Sequence, residues 1–406
     1  MNRTPAGMRI QIGFFGRANV GKSSLVNWIA GQQVSIVSPV PGTTTDVVEK
    51  AIELLPLGPV TLLDTGGLDD ASVLASKRIE RTRRVFDRAD IAVLVLEADV
   101  WTAFEDEVVA EAARRGLPVV PVINKSDVRH PSGNYLARLA VHGPVPVVSA
   151  VSFADRDHHL ADIKEALIRA LPPDRLQAPT LVGDLVPPGR LCVLVVPIDL
   201  QAPKGRLILP QAQVLRDLLD SDAAGLVVKE REYAALLDRL RDPPALVVCD
   251  SQVVMKVVAD TPPTVPLTTF SILFARFKGD LAEMVRGARA IERLRDGDRV
   301  LVAEACSHHA LEDDIGRVKI PRWLRQYTGL DLRIDVACGR DYPADLPDYR
   351  LIIHCGGCML TRREMLNRLN RAGERRTPIT NYGICIAYLQ GVLDRALSPF
   401  PGLREL

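Results

Sequence analysis

One motif near the start of the chain restricts its fold more than any other feature. Residues 16–23, GRANVGKS, fit the pattern GxxxxGK[ST] and lie between a strand-like segment, Arg9–Phe15, and a helix-like segment, Ser24–Ala30. In this setting glycines let successive backbone N–H groups point at phosphate oxygens, while a lysine and a helix N-terminus add positive charge. The motif therefore predicts a phosphate-binding loop in an α/β domain.

Two further motifs follow in the order that a nucleotide hydrolase requires. In GTTTD at 42–46, Thr44, with Thr43 as the rival, is expected to bind magnesium through its hydroxyl and the γ-phosphate through its N–H. The next strand-like segment ends in DTGG, where Asp64 would hold magnesium through water and the Gly67 N–H would contact the γ-phosphate. These segments are predicted to be the two switches.

The motif NKSD at 124–127 predicts which base is bound. It follows the predicted strand Val119–Ile123, and the carboxylate of Asp127 can accept hydrogen bonds from N1–H and the N2 amino group of guanine. Adenine offers neither donor, and a buried carboxylate without a partner costs free energy. Ser149 and Ala150 follow another strand-like segment and are placed to offer a backbone N–H to guanine O6.

The sequence thus predicts a P-loop GTPase domain at residues 1–172. Its expected magnesium ligands are Ser23, Thr44 and Asp64. The expected GTP-binding residues are Asn19, Val20, Gly21, Lys22, Ser23, Ser24, Thr43, Thr44, Asp64, Gly67, Asn124, Lys125, Asp127, Ser149 and Ala150.

No catalytic base is assigned from the sequence. Leu68 follows DTGG where Ras-like proteins carry the glutamine that orients the attacking water. Asp69, Asp70 and Glu80 lie downstream, and nothing in the sequence selects among them. Slow intrinsic hydrolysis is therefore expected.

The composition of the chain argues against nucleic-acid and membrane partners. The 51 basic and 50 acidic residues balance, with no basic stripe of the kind that a nucleic-acid-binding protein usually shows. No apolar run reaches the roughly 18 residues of a membrane helix. Seven cysteines in a chain of 406 residues favour reduced thiols, some of them metal ligands, over a disulfide framework. A cytoplasmic protein without nucleic-acid or membrane partners is expected.

Strand-like and helix-like segments alternate along the chain, which predicts an α/β fold with mainly parallel sheets. Proline-rich stretches at 171–180 and 260–269 are interpreted as linkers. They divide the chain into a GTP-binding domain (1–172), a dimerisation or interaction domain (178–262) and a third domain (268–406), the last two being smaller α/β domains.

The middle domain shows no clustered ligand residues, and its Cys192 and Cys249 lie in apolar strand-like segments. Both are interpreted as small buried hydrophobic residues. An interaction or dimerisation role is the default for this domain.

The third domain contains two motifs rich in metal ligands, CSH at 306–308 and HCGGC at 354–358. Each follows a predicted strand, so both are expected at one edge of a parallel sheet. Three thiolates, from Cys306, Cys355 and Cys358, suit an iron–sulfur cluster, whereas three cysteines and a histidine suit zinc. The spacing alone does not separate these two metals. Cys338 also follows a predicted strand and could approach the same edge, whereas Cys385 is expected in the core.

The segments GRANVGKSS and GTTTD resemble the branch of translation-factor-like GTPases that modify tRNA or assemble ribosomes. In that branch an asparagine at the position of Asn19 helps to bind potassium against the phosphates. The resemblance implies potassium-stimulated hydrolysis.

Over essentially its whole length the chain resembles the HydF family of FeFe-hydrogenase maturation GTPases. The resemblance rests on the GTPase motifs, on GTTTDVVEK, on TFSILFARFKGDL and on the paired motifs CxH and HCxxC. It implies a homodimer with a 4Fe-4S cluster on Cys306, Cys355 and Cys358. It also implies a scaffold that receives a two-iron precursor, built with two radical-SAM maturases, and passes it to apo FeFe-hydrogenase.

His308 and His354 match the family's histidines, either as a fourth iron ligand or as residues that support the cluster. The alternative function is a GTPase of tRNA modification or ribosome assembly with a structural zinc site. The neutral charge balance favours the maturation scaffold. A third interpretation treats the GTPase as a switch that gates partner docking.

Overall fold

The computed structural model describes residues 5–31, 48–65, 75–150, 156–171, 180–197, 207–305, 314–339, 342–343, 345–358 and 360–405. The chain forms two compact units, Met1–Ala178 and Pro179–Leu406. Both consist of sheets with helices packed against them, and the predicted α/β fold with mainly parallel sheets is confirmed.

The strands are β1 (Ile10–Phe15), β2 (Val48–Leu54), β3 (Gly58–Asp64), β4 (Ile91–Leu96), β5 (Val119–Ile123), β6 (Leu191–Val195), β7 (Ala224–Val228), β8 (Leu246–Cys249), β9 (Leu267–Thr269), β10 (Arg299–Glu304), β11 (Arg333–Cys338), β12 (Tyr349–His354) and β13 (Ile379–Asn381). The α-helices are α1 (Lys22–Ala30), α2 (Ala75–Arg88), α3 (Ala103–Arg114), α4 (Gly133–Leu139), α5 (Arg156–Ala170), α6 (Leu209–Asp220), α7 (Tyr233–Leu237), α8 (Val254–Asp260), α9 (Phe270–Lys278), α10 (Leu281–Arg289), α11 (Ile320–Thr328), α12 (Arg362–Glu374), α13 (Tyr382–Leu389) and α14 (Leu393–Ala396).

The first unit is built on a five-stranded sheet with the order β2-β3-β1-β4-β5. Only β2 runs antiparallel, against β3. Alternate residues of the central strands enter two different cores, since neighbouring side chains of a strand point to opposite faces. Phe14 packs in the core that includes residues of α1 and α5, and Phe15 packs in the core that includes residues of α2 and α3. Helices therefore cover both faces, as a buried parallel sheet requires.

The second unit contains two four-stranded parallel sheets with the orders β7-β6-β8-β9 and β11-β10-β12-β13. The two sheets have the same topology when each is numbered from its own first strand. Val193 of β6 and Leu301 of β10 belong to one hydrophobic core, so both sheets are parts of a single compact unit.

The interpretation of the proline-rich stretch 260–269 as a linker is wrong for its last three residues. Its last three residues form β9, which pairs with β8 and is fully buried. The strand is at the edge of its sheet, the position where nearby prolines are tolerated because one side of the backbone needs no ladder partner. The other expected linker lies largely in 172–179, outside the described residues.

The close contact between α10 and β13 gives a test of the packing. A Cβ atom added at Gly287 would lie 1.9 Å from the carbonyl oxygen of Ile379, so helix and strand would have to separate. We expect Gly287→Ala to lower the free energy of unfolding by about 3 kcal/mol, as overpacking against rigid backbone does. Differential scanning calorimetry of the full chain would measure the shift.

Gly373 in α12 provides the matched control. A Cβ atom there meets nothing within 4 Å, and the residue is exposed. Gly373→Ala should leave stability unchanged or raise it by up to about 1 kcal/mol, because alanine favours helices. Equal stability of the two variants would show that α10 does not approach β13 as described.

Candidate functional site

The predicted phosphate-binding loop lies between β1 and α1, where the sequence places it. Within the loop, Val20 is fully buried, and Gly21 has a φ of 89°, a left-handed conformation that glycine adopts without strain. The Lys22 ammonium donates a hydrogen bond to the Arg17 carbonyl oxygen at 2.7 Å. This hydrogen bond holds the ammonium at the loop backbone, which is expected to bind the phosphates.

One side chain joins the phosphate loop to the base-recognition segments. The Asn124 amide donates from Nδ2 to the Val20 carbonyl at 3.0 Å and accepts at Oδ1 from the Ala150 N–H at 3.0 Å. A Cβ atom at Gly21 would lie 2.4 Å from Nδ2, so only glycine permits this approach. Asn124 is buried and fixes the distance between the regions for phosphate and guanine.

The residues expected to recognise guanine lie together at the end of β5. The Ser149 hydroxyl donates to Oδ1 of Asp127 at 2.7 Å, which orients the exposed carboxylate. Lys125 has a φ of 61°, and its ammonium donates to Glu97 Oε1 at 2.6 Å. The arrangement suits a carboxylate that must accept two hydrogen bonds from one base edge.

Two of the expected magnesium ligands come from neighbouring elements. Ser23 is in the first turn of α1, and Asp64 is the last residue of β3, aligned with Phe14 of β1 in the parallel pairing. The Thr65 hydroxyl donates to the Phe14 carbonyl at 3.0 Å, which holds the segment after Asp64 against β1. A hydroxyl and a carboxylate at one sheet edge are oxygen ligands of the kind that Mg²⁺ prefers.

Of the other residues expected to contact the nucleotide, some lie outside the described residues and Asn19 lies in the phosphate loop. Thr43, Thr44 and Gly67 lie outside the described residues, as does Leu68. Asn19 is exposed in the loop and has a φ of 63°, a left-handed conformation that asparagine tolerates better than most residues. Its position in the loop is compatible with the predicted potassium contact, which stays a prediction.

The two cysteine motifs of the second unit follow β10 and β12, which are adjacent parallel strands. Ala303 is aligned with His354, and the Cys355 N–H donates to the Ala303 carbonyl at 2.8 Å. Beyond the strands, the Ala305 N–H donates to Cys355 Sγ at 3.2 Å. Cys306 is the next residue along the chain and lies outside the described residues, as does His308.

The surroundings of Cys355 fit a thiolate that binds metal. Burial raises the pKa of its thiol, while N–H groups of Ala305 and Gly357 point at the sulfur and act in the opposite direction. Such donors stabilise the negative charge of a thiolate in an apolar site, and they are a recurring feature around iron–sulfur clusters. Cys358 follows after a two-glycine turn in which Gly357 has a φ of 59°.

His354 is fully buried, and both of its ring nitrogens have partners. Arg368 donates from Nη1 to His354 Nε2 at 2.8 Å, and Nδ1 lies 2.6 Å from the Cys355 carbonyl oxygen. Because arginine only donates, Nε2 must accept and Nδ1 carries the proton. Burial, with the Arg368 charge second, lowers the pKa of His354 to about 3. This arrangement favours the predicted supporting role of His354 over that of an iron ligand.

Two buried cations near these cysteines were not predicted from the sequence. Arg368 is 4% exposed and also donates to the Gly339 carbonyl at 2.6 Å. Lys278 is 1% exposed, and burial lowers its pKa to about 8. Lys278 is in the last turn of α9 and Arg368 is within α12, positions where basic residues are usually solvated, so no pattern in the sequence marks these two as buried.

Cys338 lies at the expected sheet edge, aligned with Glu304 of β10, but its contacts differ from those of Cys355. Cys338 ends β11, is exposed, donates to Glu304 Oε2 at 3.2 Å and accepts from Arg317 at 2.9 Å. Cys192 and Cys249 are fully buried, which confirms their interpretation as core residues, and Cys385 is buried in α13.

The described residues set two limits on these sites. Within the described ranges, no group of three or more His, Cys, Asp or Glu side chains could hold a metal ion, and Cys306 lies outside those ranges. None of the helices in the described part of the chain has the length and apolar character that a bilayer crossing requires.

Three family models match the chain. Residues 11–125 match a model described as a 50S ribosome-binding GTPase. Residues 181–279 match the hydrogen maturase F dimerization domain, and residues 282–399 match the hydrogen maturase F tetramerization domain.

Curated relatives include the tRNA modification GTPase MnmE of Nitrosospira multiformis, which is 40% identical over 120 residues, or 29% of this chain and 26% of the relative. GTPase Der of Kosmotoga olearia is 36% identical over 125 residues, covering 29% of this chain and 28% of the relative. The matches span roughly a quarter to a third of the length of these curated relatives.

Solved structures similar to this chain include the G domain of the T. maritima FeoB iron transporter, with 20% identity and a TM-score of 0.31, covering 40% of this chain and 98% of that chain. Another is Aquifex aeolicus Era bound to GDP and AlF4−, with 19% identity and a TM-score of 0.32, covering 54% of this chain and 91% of that chain.

The phosphate loop, the Asn124–Asp127 motif and the mainly parallel sheet define the first unit as a P-loop GTPase domain, a class that binds GTP and Mg²⁺. The two maturase models together match more than half of the chain. The chain belongs to the HydF family of hydrogenase maturation GTPases, and the models describe domains through which such proteins form oligomers.

Base recognition gives a prediction for Asp127. In Asp127→Asn one acceptor becomes an amide donor facing the donors of guanine, so GTP affinity should fall by about 100-fold or more, while xanthosine triphosphate, which has an oxygen in place of the amino group, should bind better. Titration with fluorescent nucleotides would measure both affinities. Asp162→Asn, a partly exposed aspartate on α5, is the control and should leave GTP affinity unchanged. Unchanged GTP affinity in Asp127→Asn would contradict the assignment of the base site.

Proposed function

We propose that this chain is a GTP-hydrolysing scaffold that carries a 4Fe-4S cluster on Cys306, Cys355 and Cys358. In this role it receives a two-iron precursor and transfers it to apo FeFe-hydrogenase. The observation that carries the proposal is the hydrogen bond from the Ala305 N–H to Cys355 Sγ, because it brings the chain just before Cys306 against the HCGGC turn. Membership of the maturase family supports the same role.

In the first unit, Lys22 and the backbone of the phosphate loop would bind the β- and γ-phosphates of GTP. Ser23, Thr44 and Asp64 would hold Mg²⁺, and water attacks the γ-phosphorus as the bond to the β–γ bridging oxygen breaks, giving GDP and phosphate. Leu68 stands where a water-orienting glutamine is found in other GTPases, so turnover without a partner is slow. Potassium held by Asn19 would offset negative charge on the phosphates.

In the second unit, the three cysteines would hold three irons of the cluster and leave the fourth for an exchangeable ligand. The cluster supplies electron transfer and an iron site to which a precursor can attach. Neutral His354 is bonded on both sides and supports the backbone of the turn, so it is not proposed as the fourth ligand. His308 remains a candidate for that place.

The matched dimerization domain supports a homodimer formed through the segment 181–279. The proposed partners are two radical-SAM maturases, which supply the precursor, and apo FeFe-hydrogenase, which accepts it. Hydrolysis would control partner release, so release should be faster with GTP than with a non-hydrolysable analogue. Equal release with both nucleotides would instead indicate a binding switch.

The cluster assignment predicts how iron content responds to each cysteine. After anaerobic reconstitution, Cys306→Ala, Cys355→Ala and Cys358→Ala should each hold less than about a fifth of the wild-type iron and fail to activate hydrogenase, because three thiolates are needed to retain the cluster. Iron and acid-labile sulfide analysis, with electron paramagnetic resonance of the reduced protein, would measure this.

Cys338→Ser is the matched control for these variants. It changes a cysteine at the end of the neighbouring strand β11, and serine can keep the contacts with Glu304 and Arg317. Its iron content should equal that of the wild type. A colourless wild-type protein that holds zinc would instead support the GTPase of tRNA modification or ribosome assembly with a structural zinc site.

Potassium dependence gives a separate prediction for Asn19. Wild-type hydrolysis should be faster in potassium chloride than in sodium chloride at equal ionic strength, and Asn19→Ala should reduce this ratio to about 1, since the amide oxygen is the proposed ligand. Steady-state phosphate release would measure the ratio. Asn27→Ala on α1, whose Oδ1 accepts from Lys50, is the control. A ratio that survives in Asn19→Ala would refute the potassium contact.

A further inference from the structure

Lys278, the last residue of α9, is bound to the cysteine turn of the second unit. Its ammonium donates to the carbonyl oxygens of Gly357 at 2.9 Å, Cys358 at 3.0 Å and Leu360 at 2.8 Å. An ammonium has three N–H donors, and these three acceptors satisfy all of them. The side chain therefore holds three carbonyl groups of one short turn in a single orientation.

The burial of this ammonium indicates a role for its hydrogen bonds, in addition to filling space in the core. Lys278 is 1% exposed, and moving a charge out of water is costly unless every donor finds a partner. An apolar side chain would fill the same space without that cost. The contact that distinguishes lysine from such a residue is its set of bonds to the backbone of the turn.

The turn depends on glycine at position 357 and packs closely against α12. Gly357 has a φ of 59°, and a Cβ atom there would lie 2.5 Å from Cε of Met365. Within the turn, the Leu360 N–H donates to the Gly357 carbonyl at 3.0 Å. Cys358 lies between these two residues, so the position of its sulfur depends on the geometry that Lys278 maintains.

Helix α9 is itself held at both ends by the segment after β12. Near its start, Asn381 Nδ2 donates to the Ser271 carbonyl at 2.9 Å. Near its end, Arg362 Nη1 donates to the Phe277 carbonyl at 2.9 Å. The helix therefore provides a fixed base for Lys278, within the segment that matches the dimerization domain, whereas the turn lies in the segment that matches the tetramerization domain.

We propose that Lys278 is the positioning residue of the cysteine turn: it sets the carbonyl groups of Gly357, Cys358 and Leu360 in the metal-binding conformation before iron arrives, and its charge offsets that of the bound cluster. The consequence for iron rests on the proposed function. The organisation of the turn does not, because it follows from contacts within the protein alone.

Hydrogen–deuterium exchange of the metal-free, reduced full chain tests the organisation of the turn. In Lys278→Met, peptides that cover residues 355–361 should exchange at least about tenfold faster than in the wild type, because a charged hydrogen-bond donor has been removed. Lys256→Met is the matched control, since Lys256 lies exposed on α8, where its ammonium donates to the Asp260 carboxylate. It should leave these peptides unchanged.

Lys278→Gln keeps an amide group with two N–H donors but no charge. This variant provides the test if Lys278→Met exchanges rapidly throughout the second unit. Faster exchange confined to the turn in either variant supports the proposal. Wild-type exchange at the turn in a folded variant overturns it.

A second measurement separates the role of the charge from that of structure. In protein reconstituted with iron, Lys278→Gln should lower the reduction potential of the cluster, because loss of a positive charge disfavours the more negative reduced state. Lys256→Met should keep the wild-type potential. If Lys278→Gln has the wild-type potential, as Lys256→Met should, the proposed effect of the Lys278 charge on the cluster is wrong. If the wild type itself takes up no iron, the proposed function fails, while the exchange experiment still decides the role of Lys278.

Discussion

The parallel pairing of β10 with β12 is the constraint on which the proposed metal site of the second unit depends. It aligns Ala303 with His354, so the chain leaves both strands at the same sheet edge. The hydrogen bond from the Ala305 N–H to Cys355 Sγ then forms just beyond the ladder. Ala305, the residue before the first cysteine motif, thus contacts the second motif almost fifty residues later because of main-chain hydrogen bonds between two apolar strands.

Several polar side chains are buried near the same edge, whereas a core with only a structural role is mostly apolar. His354, Arg368 and Lys278 are all at least nine-tenths buried, and each is bonded to backbone or side-chain partners. Buried groups of this kind stabilise a fold little, but they specify one arrangement when all their hydrogen-bonding groups are satisfied. Here that arrangement includes the backbone around two cysteines.

Local patterns in the sequence predicted the strands and motifs that depend on continuous apolar runs. The predicted bounds of β5, Val119–Ile123, match the structure, and the phosphate loop lies between a strand and a helix as expected. The cysteine motifs were placed after β10 and β12 for the same reason. Strands β9 and β13, each of three residues, were not predicted, because so short a segment is a strand only through its neighbour in the sheet.

The residues that support the site were also missed, for a physical reason. Lys278 and Arg368 occur in the last turn of α9 and within α12, where basic residues usually face solvent. Their burial depends on which elements pack together, and that information is spread over three segments of the chain. The likeness of residues 269–281, TFSILFARFKGDL, to the maturase family was part of the predicted resemblance, but it did not indicate the role of Lys278.

Mössbauer spectroscopy of the wild-type protein, purified without oxygen after growth on iron-57, shows whether three cysteines converge on one cluster. The protein should contain about four iron atoms per chain with the signals of a 4Fe-4S cluster, one of its irons distinct from the other three. Iron in the wrong stoichiometry, or zinc in its place, would contradict the convergence of three cysteines on one cluster.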